Sequence, residues 1–104
     1  MDTTTARIVK QFIQKIIKKF TIQKVILFGS RARGDNLKSS DIDLVIVSSD
    51  FEGIHITERM KQMYTYWNAP YDVDFLCYTP EEFEKLSNMI TIVREAVKHG
   101  IVIK

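Results

Sequence analysis

Ten residues separate two short segments that together leave this chain few ways to fold. Val25-Ile26-Leu27-Phe28 is a continuous apolar run stopped by Gly29-Ser30, and Asp41-Ile42-Asp43-Leu44-Val45-Ile46-Val47 opens on charge and closes fully apolar. The first reads as a buried strand ending at a turn. The second reads as a strand, 41–47, with one end open onto a cleft. If Gly29 and Asp41 meet across that cleft, the two strands run antiparallel.

The rest of the chain supplies elements that cover such a sheet. Ile8, Val9, Phe12, Ile13, Ile16, Ile17 and Phe20 recur at helical spacing, which predicts an amphipathic helix from Thr4 to Phe20. Residues 29–40 read as a turn with a short helix. Ile56, Met60, Met63, Tyr64 and Trp67 predict a helix ended by Asn68-Ala69-Pro70. It allows a crossover to a third strand, Tyr71 to Tyr78, parallel to the second. Thr79-Pro80-Glu81-Glu82 carries a capping box for a further helix. Helix resumes or continues from Ser87 to His99, with Gly100 expected to end it in a left-handed conformation and Ile101-Val102-Ile103 expected as a short edge strand. The fold class is therefore α+β: one domain over 1–104, a small mixed sheet of three strands plus that C-terminal edge strand, and about four to five helices.

Composition matters where it excludes alternatives. The 104 residues, 45% hydrophobic and 27% charged, suit a single globular core. No apolar run approaches the roughly 18–20 residues of a membrane span, and the N-terminus has no secretory stretch, so a cytoplasmic protein is expected. Cys77 is the sole cysteine and reads as a buried thiol. Residues 1–40 carry nine Lys/Arg against two Asp/Glu, and residues 41–104 carry six against eleven. Lys10, Lys15, Lys18 and Lys19 read as the wet face of the first helix.

Asp41 and Asp43 leave the same face of their strand, about 6.5 Å apart along the chain. That suits shared metal ions, which sit roughly 3.5–4 Å apart in two-metal sites. Magnesium, a hard cation completed by water and phosphates, is the ion expected. In parallel register the third strand places Asp74 beside Asp43, so three carboxylates are expected to converge. Asp72 shares Asp74's face and competes with it; Phe75-Leu76-Cys77 favours Asp74. Like charges raise one another's pKa until a cation arrives. Gly29 permits close backbone approach to a phosphate, and amides at a helix start favour an anion. Arg31 and Arg33 are candidate phosphate partners, with a local ion pair to Asp35 as the alternative. His55 and His99 are assigned no catalytic part. Tyr64-Thr65-Tyr66-Trp67 reads as core packing, with a partner surface or base-stacking wall as the alternative.

Gly29-Ser30-Arg31-Ala32-Arg33-Gly34-Asp35 followed by Ser40-Asp41-Ile42-Asp43-Leu44-Val45 resembles the signature of the DNA polymerase beta-like nucleotidyltransferase superfamily. More narrowly it resembles the minimal nucleotidyltransferases (MNT), as do Val73-Asp74-Phe75-Leu76, Thr79-Pro80-Glu81-Glu82-Phe83 and the stretch from Glu95 to Ile103. The resemblance implies that Asp41 and Asp43 ligate magnesium, in two ions, and that Asp74 completes the site and helps deprotonate the attacking hydroxyl. Gly29 and Ser30 would hold the triphosphate of ATP. Members of this group are typically encoded beside HEPN proteins (higher eukaryotes and prokaryotes nucleotide-binding), all-helical and often RNA-cleaving toxins. The resemblance thus implies an antitoxin that transfers AMP to a hydroxyl, a tyrosine's, of a HEPN partner, with neither membrane nor nucleic acid involved. The alternatives are nucleotidyl transfer to a small molecule or RNA, and a non-catalytic antitoxin acting by contact alone.

Overall fold

A computed structural model describes residues 1–104 as a four-stranded sheet between two helical layers. The elements are α1 (Thr3–Ile16), β1 (Ile22–Phe28), α2 (Ser30–Arg33), β2 (Ile42–Ser48), a 3-10 turn (Ser49–Phe51), α3 (Ile56–Tyr64), β3 (Val73–Tyr78), α4 (Pro80–Ser87), α5 (Ile92–His99) and β4 (Ile101–Val102). The sheet order is β3-β2-β1-β4. β1 is antiparallel to β2 and to β4, while β2 and β3 are parallel, which gives the expected mixed sheet.

Strand alternation divides the core between the two faces. Leu44, Ile46, Phe75 and Cys77 join Val9, Phe12 and Ile16 of α1 and Met63 of α3 in the main core. Val45 and Val47 point the other way, with Ile26 and Ala96, under Phe83 of α4. Asp43 shares the parity of Val45 and Val47, whereas Asp41, just before β2, lines a cleft with Tyr64, Trp67 and Tyr71.

Several ends differ from the sequence reading. α1 stops at Ile16, and 17–20 tighten into a turn because Phe20 folds back against the rings of Phe51 and Tyr66. α3 stops at Tyr64 for a related reason: the Trp67 indole turns in to donate to the Tyr71 carbonyl at 2.9 Å. Tyr64 and Trp67 both pack edge-on against Phe75; Tyr66 and Trp67 join the core, while Tyr64 stays exposed at the cleft of Asp41 and Asp74. The helices α4 and α5 are separate, with the Thr91 hydroxyl capping α5 through the Arg94 amide. The left-handed conformation expected of Gly100 is not adopted; its φ is −81°. Glycine is needed there because a Cβ would press on the Leu27 carbonyl and Ile26 of β1.

The Thr79 capping box forms as read, with the Glu82 carboxylate accepting from the Thr79 amide at 2.9 Å. The same Glu82 pairs with Arg59 at 2.6 Å, a contact with no local sequence signal. Arg59 is buried and also donates to the Cys77 and Ile54 carbonyls, so with Tyr64 it satisfies carbonyls of β3, an edge strand.

Candidate active site

The sheet register builds the site. Phe28, one residue before Gly29, lies opposite Asp43, and Asp43 lies opposite Asp74. Gly29, Asp43 and Asp74 therefore form a row across β1, β2 and β3. Gly29 has φ +77°, a conformation open to glycine and costly for other residues, and a Cβ there would overlap the Asp43 carboxylate. The glycine thus clears room for Asp43 as well as exposing backbone at the start of α2. Ser30 follows as the first residue of that helix.

Asp43 is half-buried, and Asp74 and Asp41 are exposed. Burial, then the charge and hydrogen bond of Asp74, and then the charge of Asp41, push the Asp43 carboxyl up from its usual 3.8 to about 6; Arg33 opposes them. The convergence expected of three carboxylates is partial. Asp43 and Asp74 are paired, whereas no three His, Cys, Asp or Glu side chains form a ready-made metal cage. Hard carboxylate oxygens at the end of an open cleft still fit magnesium, whose sphere is normally completed by water and phosphate oxygens. Asp72 lines the same cleft, of about 490 Å³, as Asp41 and Asp74. It lies before β3, and its carbonyl accepts from the Ile42 amide at 2.9 Å.

The two arginines part company. Arg33 is exposed, pairs with Asp35 at 3.1 Å and lines a recess with Gly29, so it can swing to a phosphate. Arg31 is corrected: its side chain is 2% exposed and cannot serve a phosphate in this position. Its Nε and Nη2 donate to the Ser40 carbonyl at 3.0 and 2.8 Å, and Nη1 donates to the Thr5 hydroxyl at 2.8 Å. Backbone carbonyls of 38–40 give no sequence signal of this. His55 caps α3 through the Thr57 amide, whereas His99, which pairs with Glu95 at 3.5 Å, lines the recess of Gly29 and Arg33. A second, mainly apolar recess of about 310 Å³ runs from Asp43 and Asp74 along Phe28, Leu76, Met60 and Ile92. No helix is long and apolar enough to cross a membrane.

Comparison with known proteins agrees with this fold. The nucleotidyltransferase domain family matches residues 9–99. A Haemophilus influenzae chain named probable protein adenylyltransferase MntA is 31% identical over 88 residues, covering 83% of this chain and 75% of that one. The crystal structure of a Sulfolobus solfataricus nucleotidyltransferase superposes with a TM-score of 0.70 at 24% identity, over 95% of this chain and 78% of that one. A toxin–antitoxin structure with AMP-PNP superposes with a TM-score of 0.54 at 23% identity, over 88% of this chain and 68% of that one. With Gly-Ser and Asp-x-Asp standing at one end of such a sheet, the chain belongs to the nucleotidyltransferase domain family, is a nucleotidyltransferase, and is one of the minimal members.

Proposed function

We propose that this nucleotidyltransferase transfers AMP from ATP to a hydroxyl of a protein partner, and that it acts as the antitoxin of a toxin–antitoxin pair. The observation that carries the chemistry is the row Gly29, Asp43 and Asp74, with Asp41 at its mouth. Asp41, Asp43 and Asp74 would hold magnesium as two ions. When bound, magnesium neutralises triphosphate charge and lowers the pKa of the attacking hydroxyl.

The chain's own residues do the rest. The backbone at Gly29 and the Ser30 hydroxyl hold the triphosphate, and Arg33 adds a planar cation on leaving Asp35. Phe28, Leu76 and Ile92 offer apolar walls to the base. Asp74 accepts the proton of the attacking hydroxyl as its oxygen bonds to the α-phosphorus. The bond from that phosphorus to the bridging oxygen breaks, and pyrophosphate leaves. Alignment of oxygen, phosphorus and leaving group supplies much of the acceleration, by entropy already lost on binding.

The acceptor is a tyrosine of a HEPN toxin. The motif resemblance, the protein adenylyltransferase named among the relatives and the toxin–antitoxin structural neighbour support this reading. The test is intact mass spectrometry of a co-purified HEPN partner after incubation with the chain, ATP and magnesium. Addition of one or more AMP groups is expected; an unchanged mass contradicts the reading. The double substitution Asp41→Asn with Asp43→Asn should abolish neutralisation, whereas an antitoxin acting by contact would keep it.

A further inference from the structure

The carbonyl immediately before each outer carboxylate of the site is held by a side chain from another element. Ser40 O precedes Asp41 and accepts from Nε and Nη2 of Arg31; Nη2 also donates to the Lys38 carbonyl at 3.1 Å. Val73 O precedes Asp74 and accepts from the Tyr64 hydroxyl at 2.8 Å. Tyr71 joins the two holds. The Arg31 guanidinium lies over its ring at 4.9 Å, and its carbonyl accepts the Trp67 indole. The Tyr64 and Trp67 rings both rest on Phe75, directly after Asp74.

We propose that Arg31, Tyr64, Trp67 and Tyr71 form one brace that sets the spacing of Asp41 and Asp74. They are positioning residues, acting through the two aspartates. The inference rests on the reading that those aspartates hold metal and nucleotide. The nearest carboxylate to Arg31, Asp2, is 4.0 Å away, so the guanidinium spends its donors on the Ser40 and Lys38 carbonyls and the Thr5 hydroxyl. Those bonds stabilise the fold, and two of them also fix the Ser40 carbonyl. Such fixing matters because Asp41 and Asp74 line one cleft and must present their oxygens to the same ions. A misplacement on the order of 1 Å can cost about a hundredfold in rate.

The test uses Tyr64→Phe, which removes one oxygen, and Tyr71→Leu, which removes the ring under Arg31 while keeping its carbonyl. Two readouts apply: the rise in melting temperature with added Mn²⁺, without nucleotide, and kcat with KM for ATP in AMP transfer. Each variant is expected to need several times more Mn²⁺ for half of the rise and to lose about tenfold in kcat, with KM for ATP within about twofold. The double variant should lose less than the product of the single losses, because both substitutions loosen one brace. The proposal is overturned if, in both folded single variants, Mn²⁺ half-saturation and kcat stay within about twofold of the parent chain. It is also overturned if the kcat loss vanishes once rates are scaled to the folded fraction. If the parent chain transfers no AMP, the proposed function fails by itself. The Mn²⁺ titration still decides the brace, and equal half-saturation in all chains overturns it.

Discussion

Replacing Asp43 with Asn is expected to make the metal-free protein more stable and, in the same step, inactive. Burial and the neighbouring Asp74 raise the Asp43 carboxyl from 3.8 to about 6 in the folded chain. Above pH 6 the folded protein therefore holds a charge that the unfolded chain holds more cheaply. About two pH units of separation sets an upper bound of about 3 kcal/mol. Asp43 is only half-buried, and solvent screening brings the expected gain to about 1 kcal/mol, or about 4–8 °C in melting temperature for a domain of this size. The sign follows from proton counting: between pH 3.8 and 6 the folded state binds more protons than the unfolded one, so parent stability falls as pH rises through that window. The Asn variant lacks this titration. Thermal melts in EDTA should show the variant's advantage in full above pH 6, shrinking below it and gone below about 3.8. An Asn variant no more stable than the parent at pH 7.5, or an advantage independent of pH, would refute the reasoning.

Gly29→Ala should lower stability by about 1–3 kcal/mol in urea unfolding and remove activity, since φ +77° and the Asp43 carboxylate both exclude a methyl there. Arg59→Met should cost about 2 kcal/mol, because the Cys77 and Ile54 carbonyls and Glu82 lose a buried donor. Arg59 also holds the Glu82 carboxyl below its usual 4.5, so the parent chain should lose that stabilisation as pH falls below 4.5, and the Met variant should show a weaker loss in acid melts. Burial pushes the Cys77 thiol up to about 12, so iodoacetamide at pH 8 should label it in urea and leave the native protein unmodified.

The parts of this molecule that were legible in sequence are those set by periodicity and local chemistry. Apolar runs ending at Gly29 and beginning at Asp41 gave the antiparallel pair. The crossover through α3 then placed Asp74 beside Asp43, as the register has it. Thr79 and Glu82 are three residues apart and cap α4 as their types require. What escaped depends on partners far along the chain. Arg31 looks like a phosphate ligand until the Ser40 and Lys38 carbonyls are seen to take it. Arg59 and Glu82 are 23 residues apart, and only the fold makes them neighbours. Gly100 has the local look of a left-handed cap, yet the close approach of β1 is what requires a glycine. The pairing of Asp43 with Asp74, while Asp41 stands exposed at the mouth, is likewise a matter of cleft shape that spacing alone does not define.

The central claim is that the Asp43–Asp74 end of the sheet moves AMP from ATP onto a partner's hydroxyl. ATP labelled separately at its α- and γ-phosphorus tests it most directly, with the proposed partner toxin as acceptor and Asp43→Asn as control. The account predicts that the α label becomes covalently attached to the toxin, that the γ label leaves in pyrophosphate, and that the Asn variant transfers neither. Transfer of the γ label, or α labelling that survives Asp43→Asn, would contradict it.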